Sequence, residues 1–186
     1  MKIIATASTH TFLFADIAGF STIAEVEGDM RATELALTLA GVANEVTAVP
    51  GADLVKAIGD AVMIRTADAG RGLDIALALR RALEDIPGFP GVHAGLHTGP
   101  AVQAGGDWYG HTVNVAFRVS AAAGPGEIFC TQATLTAAGE LRGVRAAPCG
   151  CRAFKNAVAQ VDLFSLDRVL SHTSGRPRSL AALATA

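Results

Sequence analysis

Apolar residues recur along this chain in two rhythms, and the change from one to the other marks out the elements. Residues 9–16 (Thr-His-Thr-Phe-Leu-Phe-Ala-Asp) are a short apolar run ending in a carboxylate, which predicts a buried strand. Gly19 breaks the run, and Thr22 with Glu25 three positions later reads as a capping box that starts a helix. Leu35, Leu39, Val42, Val46 and Val49 follow at alternating steps of four and three, one face of a long helix that Pro50 and Gly51 stop. Residues 53–57 and 61–65 are brief strand-like runs around Gly59-Asp60, a hairpin pattern. Helical spacing returns over 68–83, with Leu73, Ala76, Leu77 and Leu83 on one side. A loop rich in Pro and Gly (Pro87, Gly88, Pro90, Gly91) precedes a strand over 92–97 and a short second hairpin through 101–103. A helix over 111–123 comes next, then short strands and one short helix over 127–166.

The order strand, helix, hairpin, helix, strand predicts an α+β fold: a ferredoxin-like βαββαβ sandwich, with helices on one face of a sheet. One domain is expected over residues 9–167. The rest, 168–186, reads as a polar tail carrying Gly175, Arg176, Pro177 and Arg178.

Composition narrows the function classes. The 186 residues suffice for one buried core, and 51% of them are apolar, many of them alanine. A formal net charge of -2 gives no general electrostatic claim on nucleic acid or an anionic membrane. Any polyanionic ligand must therefore be met by a few placed cations and metals. No run approaches the ~18 apolar residues that span a bilayer, and the apolar start at Ile3-Ile4 is too short for a signal peptide. Cys130, Cys149 and Cys151 are odd in number and form no paired framework, which predicts a reduced, cytoplasmic protein.

The candidate chemistry starts from two carboxylates. Asp16 closes an otherwise apolar strand, where an ionised group is costly without compensation. Asp60 lies at a hairpin tip that such a sheet can bring beside that strand end. Converging carboxylates suit magnesium, which takes one or two of them together with phosphates and water. Taken singly, each fits an ordinary role equally well, Asp16 as a helix cap and Asp60 as a turn residue.

The sequence around them forms an ordered set. Phe14-Ala-Asp16-Ile17-Ala-Gly19-Phe20-Ser21 resembles the first metal-binding signature of the class III nucleotidyl cyclases, and Lys56-Ala-Ile-Gly59-Asp60-Ala resembles the second. Gly95-Leu-His-Thr-Gly99 is similar to that family's central strand. Asp107-Trp-Tyr-Gly110-His-Thr-Val-Asn114-Val-Ala-Phe-Arg118 resembles its purine- and ribose-binding stretch, and Gly124-Pro-Gly126-Glu127 resembles the turn after it. The resemblance covers about residues 9–167.

It implies an adenylyl cyclase that converts ATP to 3′,5′-cyclic AMP and pyrophosphate with two Mg2+ or Mn2+ ions per site. Asp16 and Asp60 would hold the metals, helped by the backbone carbonyl of Ile17. Lys56 and Asp107 would read the adenine edge, and Gly19 and Phe20 would lie at the phosphates. Asn114 would orient the ribose, Arg118 would meet charge on the α-phosphate, and Lys155 would grip the terminal phosphates. Partners implied are ATP and a second copy of the chain in a head-to-tail homodimer with shared sites, with no nucleic acid and no membrane.

Physical chemistry supports these roles. A lysine donor beside an aspartate acceptor suits adenine, whereas guanine reverses the pattern at that edge. Asn114 and Arg118 are four apart and share a helix face, with Cβ atoms about 6 Å apart. The glycine at 19 lets backbone amides approach phosphate at a helix start.

The plain alternatives are a solvated Lys56, a surface Arg118 and a turn-forming Asp107. Structural roles are expected for His97 and His111, and an interface role for Trp108 and Tyr109. His93 stands where many relatives carry arginine. The rival readings are a guanylyl cyclase and a catalytically silent cyclase-like domain. A diguanylate cyclase lacks its Gly-Gly-Asp/Glu-Glu-Phe hairpin here, and no P-loop run is present.

Overall fold

A computed structural model describes residues 7–153 and 160–169. In chain order the elements are β1 (Ser8–Ile17), α1 (Phe20–Glu27), α2 (Asp29–Val46), β2 (Ala52–Ile58), β3 (Ala61–Thr66), α3 (Ala69–Glu84) and β4 (Val92–Ala104). They continue with β5 (Asp107–Tyr109), α4 (His111–Ser120), β6 (Ile128–Thr131), α5 (Gln132–Ala138), β7 (Val144–Ala153) and β8 (Gln160–Arg168).

The period-2 alternation of β1 decides the layering. Leu13, Ala15 and Ile17 point to one side and join Leu35, Leu39, Leu73 and Leu77 of α2 and α3 in the main core. Phe12 and Phe14 point to the other and meet Met63, Trp108 and Ala116. A strand buried on both faces must lie at the centre of its sheet. The order is β2-β3-β1-β4-β6-β8-β7, with β5 on β4. Its first four strands pair antiparallel throughout, the expected ferredoxin-like arrangement. β6 then adds parallel to β4, and β8 and β7 extend the sheet antiparallel.

The structure departs from the sequence reading in several places, among them the end of α4 at Ser120 and not at 123. First, α1 begins at Phe20, capped only by the backbone of Gly19 (φ 72), so Thr22 and Glu25 lie inside the helix and form no capping box. Second, the helical face ends at Val46. Val49 is 40% exposed beyond it, and Gly28 (φ 87) separates α2 from α1. Third, β4 runs unbroken to Ala104, so the second hairpin turns at Gly105-Gly106, both at positive φ, and not through 101–103. Fourth, α4 packs on the sheet face opposite α2 and α3, so helices cover both faces.

The last difference depends on Gly95. A Cβ there would lie 2.0 Å from the Ser120 amide nitrogen, so the α4 backbone presses onto β4 where only glycine leaves room. Asp68 caps α3 as a helix start should, accepting from Arg71 N–H at 2.7 Å. Among the described residues no helix is long and apolar enough to cross a membrane.

Candidate active site

Asp16 stands on the α4 side of the sheet, paired in register with Ala61 of β3 and His93 of β4. The β2–β3 turn, opened by Gly59 (φ 59), brings Asp60 to the end of β1, where the Ile17 N–H donates to the Asp60 carbonyl at 3.1 Å. The two carboxyl groups therefore adjoin. Burial is the main reason that the Asp16 carboxyl is pushed up to about 6, followed by the neighbouring Asp60 carboxyl. One oxygen, Oδ1, is buried with no partner. The other lies 4.0 Å from His93 Nε2, while His93 Nδ1–H donates to the Ser120 carbonyl at 3.4 Å.

Two adjoining carboxylates with an orphaned buried oxygen repel each other until a proton or a cation joins them. A divalent cation fits this pair. Among the described residues no third His, Cys, Asp or Glu completes a ligand cluster, so further ligands must be carbonyl, water or phosphate oxygens. That is the donor set of a hard ion such as Mg2+ or Mn2+.

Beyond Ile17 the chain turns through Gly19 into α1. Among the described residues no side chain caps α1, so the partial positive charge of its N-terminus lies at Gly19 and Phe20 without a side-chain acceptor.

Lys56 and Asp107, 51 positions apart, meet as a direct ion pair, Nζ to Oδ2 at 2.5 Å. A bulge between Leu54 and Lys56 shifts the register of β2, so that Lys56 pairs with Met63 and shares its face. Asp107 opens β5, and its Oδ1 accepts from the Trp108 N–H at 2.8 Å. The Lys56 hydrogen bond, with help from the Trp108 amide, holds the Asp107 carboxyl below its ordinary value. The pair is one-quarter to one-third exposed, open to a ligand.

Asn114 and Arg118 share a face of α4, whose opposite side buries Val115 and Val119 against Phe129 and Leu163. Thr112 Oγ1 donates to the Pro100 carbonyl at 2.6 Å near the start of α4, and the Gly95–Ser120 contact fixes its end. Arg118 makes no hydrogen bond or ion pair among the described residues.

Within one chain the structure thus forms two clusters, Asp16–Asp60–His93 and Lys56–Asp107. Among the described residues no hydrogen bond or ion pair joins these clusters to each other, or either one to Asn114 or Arg118. Lys155 lies outside the described residues. Cavities of about 510 and 920 Å3 lie elsewhere, lined among others by Arg71, Asp74 and Arg168 and by Arg80, Arg81 and Asp167, and contain none of the candidate residues.

His97 has the structural role expected. It bonds Thr131 Oγ1 at 2.8 Å, and burial first, then His111, holds it down to about 4, neutral at physiological pH. Trp108 is 7% exposed and belongs to the chain's own core, which corrects the interface expectation, while Tyr109 is 54% exposed. Sequence reasoning missed the approach of His93 to Asp16. The only signal was that the family resemblance leads one to expect arginine at this position.

Residues 4–143 match the family model described as the adenylate and guanylate cyclase catalytic domain. The chain is 36% identical over 166 residues to a pH-sensitive adenylate cyclase of Mycobacterium tuberculosis, covering 88% of this chain and 42% of that protein. It is 33% identical over 110 residues to an adenylate cyclase of Streptomyces griseus, covering 59% of this chain and 28% of that one. The chain thus spans less than half the length of these relatives. The crystal structure of the adenylyl cyclase CyaB from P. aeruginosa superposes with a TM-score of 0.76 at 20% identity, covering 90% of this chain and 97% of that one.

Proposed function

Since this chain belongs to the adenylate and guanylate cyclase catalytic domain family, we propose that it is an adenylyl cyclase, converting ATP to 3′,5′-cyclic AMP and pyrophosphate. The observation that carries the choice of substrate is the preformed Lys56–Asp107 pair. It sets a donor beside an acceptor, as the ring nitrogen and exocyclic amine of adenine require.

The other residues take roles around that base. Asn114 orients the ribose from α4, and Arg118, without an ion pair among the described residues, meets charge that grows on the α-phosphate. The first-turn amides at Gly19 and Phe20 face the phosphates, with Lys155 at the terminal ones. The ribose 3′-oxygen attacks the α-phosphorus in line, its bond to the bridging oxygen breaks, and pyrophosphate leaves. Asp16 and Asp60, with the Ile17 carbonyl, would hold two Mg2+ or Mn2+ ions, which when bound lower the pKa of the 3′-hydroxyl and neutralise phosphate charge.

The active unit is a homodimer, with the carboxylates of one copy facing Lys56, Asp107, Asn114 and Arg118 of the other. Two features favour it: among the described residues no hydrogen bond or ion pair links the clusters, and large apolar side chains are exposed on the strands and helix that carry them. Ile58 of β2, Tyr109 of β5 and Phe117 of α4 are all more than half exposed, surface that a second copy would cover. The reading places the protein in the cytoplasm, where ATP is made. Purified protein with ATP or GTP and Mg2+ or Mn2+, followed by chromatography of the products, tests it. Cyclic AMP as the main product is expected, and a preference for GTP would replace the assignment with a guanylyl cyclase.

A further inference from the structure

Base selection by a lysine–aspartate pair depends on orientation more than on composition. Adenine offers a donor at its exocyclic amine and an acceptor at its ring nitrogen, and guanine offers an acceptor and a donor at the same places. A pair free to turn could satisfy either base. What holds the pair still is therefore part of the specificity.

The arm that carries Asp107 is weakly held by its backbone. β5 has three residues, pairs among the described residues with β4 alone, and is reached through Gly105 and Gly106, both at positive φ. Its anchor is the next side chain, Trp108. The indole meets His10 edge-on at 4.4 Å and Phe12 at 5.7 Å, and the Arg65 guanidinium carbon lies 5.3 Å from its ring centroid. Arg65 is itself tied across the sheet to Asp53 at 3.0 Å, and the Ser8 hydroxyl lies 2.7 Å from His10 Nε2. Asp53 is on β2, three residues before Lys56. The chain of contacts Asp53–Arg65–Trp108 thus ties the strand that carries Lys56 to the arm that carries Asp107.

We propose that Trp108, held by Arg65 and His10, is a positioning residue for base selection, fixing Asp107 against Lys56 in the one orientation that favours adenine. The proposal rests on the assignment of Lys56 and Asp107 to the nucleotide base. The Trp108 ring locates β5, and with it the backbone N–H of residue 108, which donates to Asp107 Oδ1. The guanidinium over the ring adds an attraction that an aliphatic core residue would lack.

The test compares wild type with Trp108→Ala, Trp108→Phe and Arg65→Gln. It measures kcat and KM for ATP and GTP, equilibrium binding of 3′-deoxy-ATP and 3′-deoxy-GTP, and thermal midpoints. Trp108→Ala should lower the preference for adenine about tenfold, chiefly through binding and KM, with Arg65→Gln losing about threefold and Trp108→Phe staying within about twofold of wild type. If Trp108→Ala does not fold, Arg65→Gln against Trp108→Phe decides. Lower thermal midpoints with an unchanged adenine preference would overturn the proposal, leaving Trp108 a core residue only. A wild type that binds 3′-deoxy-ATP but cyclises nothing would overturn the function proposed above, while the change in base preference among the variants would still decide the role of Trp108. Wild type binding neither nucleotide selectively would overturn both.

Discussion

The two charged clusters on the α4 side of the sheet are opposites in electrostatic state. Lys56 and Asp107 are complementary, in contact, and held by neighbours, and the aspartate is easier to ionise than usual. Asp16 and Asp60 are alike in charge, one oxygen is orphaned, and Asp16 is harder to ionise than usual. The first cluster is finished in the free chain. The second holds two like charges that a proton or a cation must join. A pair meant to read a neutral base gains from being preorganised. On the proposed function, the second pair would hold metal, and for that its oxygens must stay uncommitted at the cost of repulsion.

The sharpest way to break this contrast is to remove the unfinished half. Asp16→Ala and Asp60→Ala should each lower cyclisation by at least about a thousandfold, because metal binding is lost outright. The thermal midpoint of metal-free protein should not fall in either variant, since each substitution relieves a like-charge contact. Cyclic AMP formation and calorimetry check both halves, and metal-dependent activity surviving in either variant would move the active site elsewhere.

Removing the finished half should act differently. Replacing Lys56 and Asp107 together should reduce kcat/KM for ATP about a hundredfold while GTP turnover changes far less, because the loss falls on contacts that only adenine satisfies. Parallel kinetics with both nucleotides would show this. An equal loss for the two would mean that the pair supports the fold and not the base.

The halves also differ in how far the sequence reveals them. Asp16 and Asp60 are legible locally: an apolar run ending in a carboxylate and a Gly-Asp turn are short-range patterns, and antiparallel pairing of β1 with β3 brings them together. Lys56 and Asp107 meet across 51 positions, over a bulge and a glycine turn, and only the family resemblance joined them. The Trp108 clamp was not legible, because its members, Trp108 included, lie on four separate strands. The side of the sheet that α4 takes was hidden for a related reason: helical spacing shows which face of a helix is apolar, not which face of a sheet it meets. The length of β4 was masked by Gly99-Pro100, a turn-like pair. β6 pairs with β4 only at 94–96, so Pro100 sits beyond that neighbour and the strand tolerates it. The start of α1 was misread because a backbone turn at Gly19, with no side-chain signature, sets it.

The smallest expected effect tests whether the two halves work in separate chains. If they do, Asp16→Ala and Arg118→Ala damage complementary sides, and each mutant homodimer should be nearly inactive because both of its sites lack one side. In a mixed dimer one site loses both functions and the other is wholly wild type. Random pairing of equal amounts makes about half of the dimers mixed, each with one good site of two, so activity should return to about one quarter of wild type. Cyclic AMP is measured after the two variants are refolded together, with dimer formation checked by sedimentation. Mixed dimers without recovery would mean that each site lies within one chain or that the two sites are strongly coupled. A dimer of one wild-type chain and one chain carrying both substitutions separates these outcomes. A site within one chain would leave the wild-type protomer active, whereas shared sites would each lack one side and the dimer would be inactive.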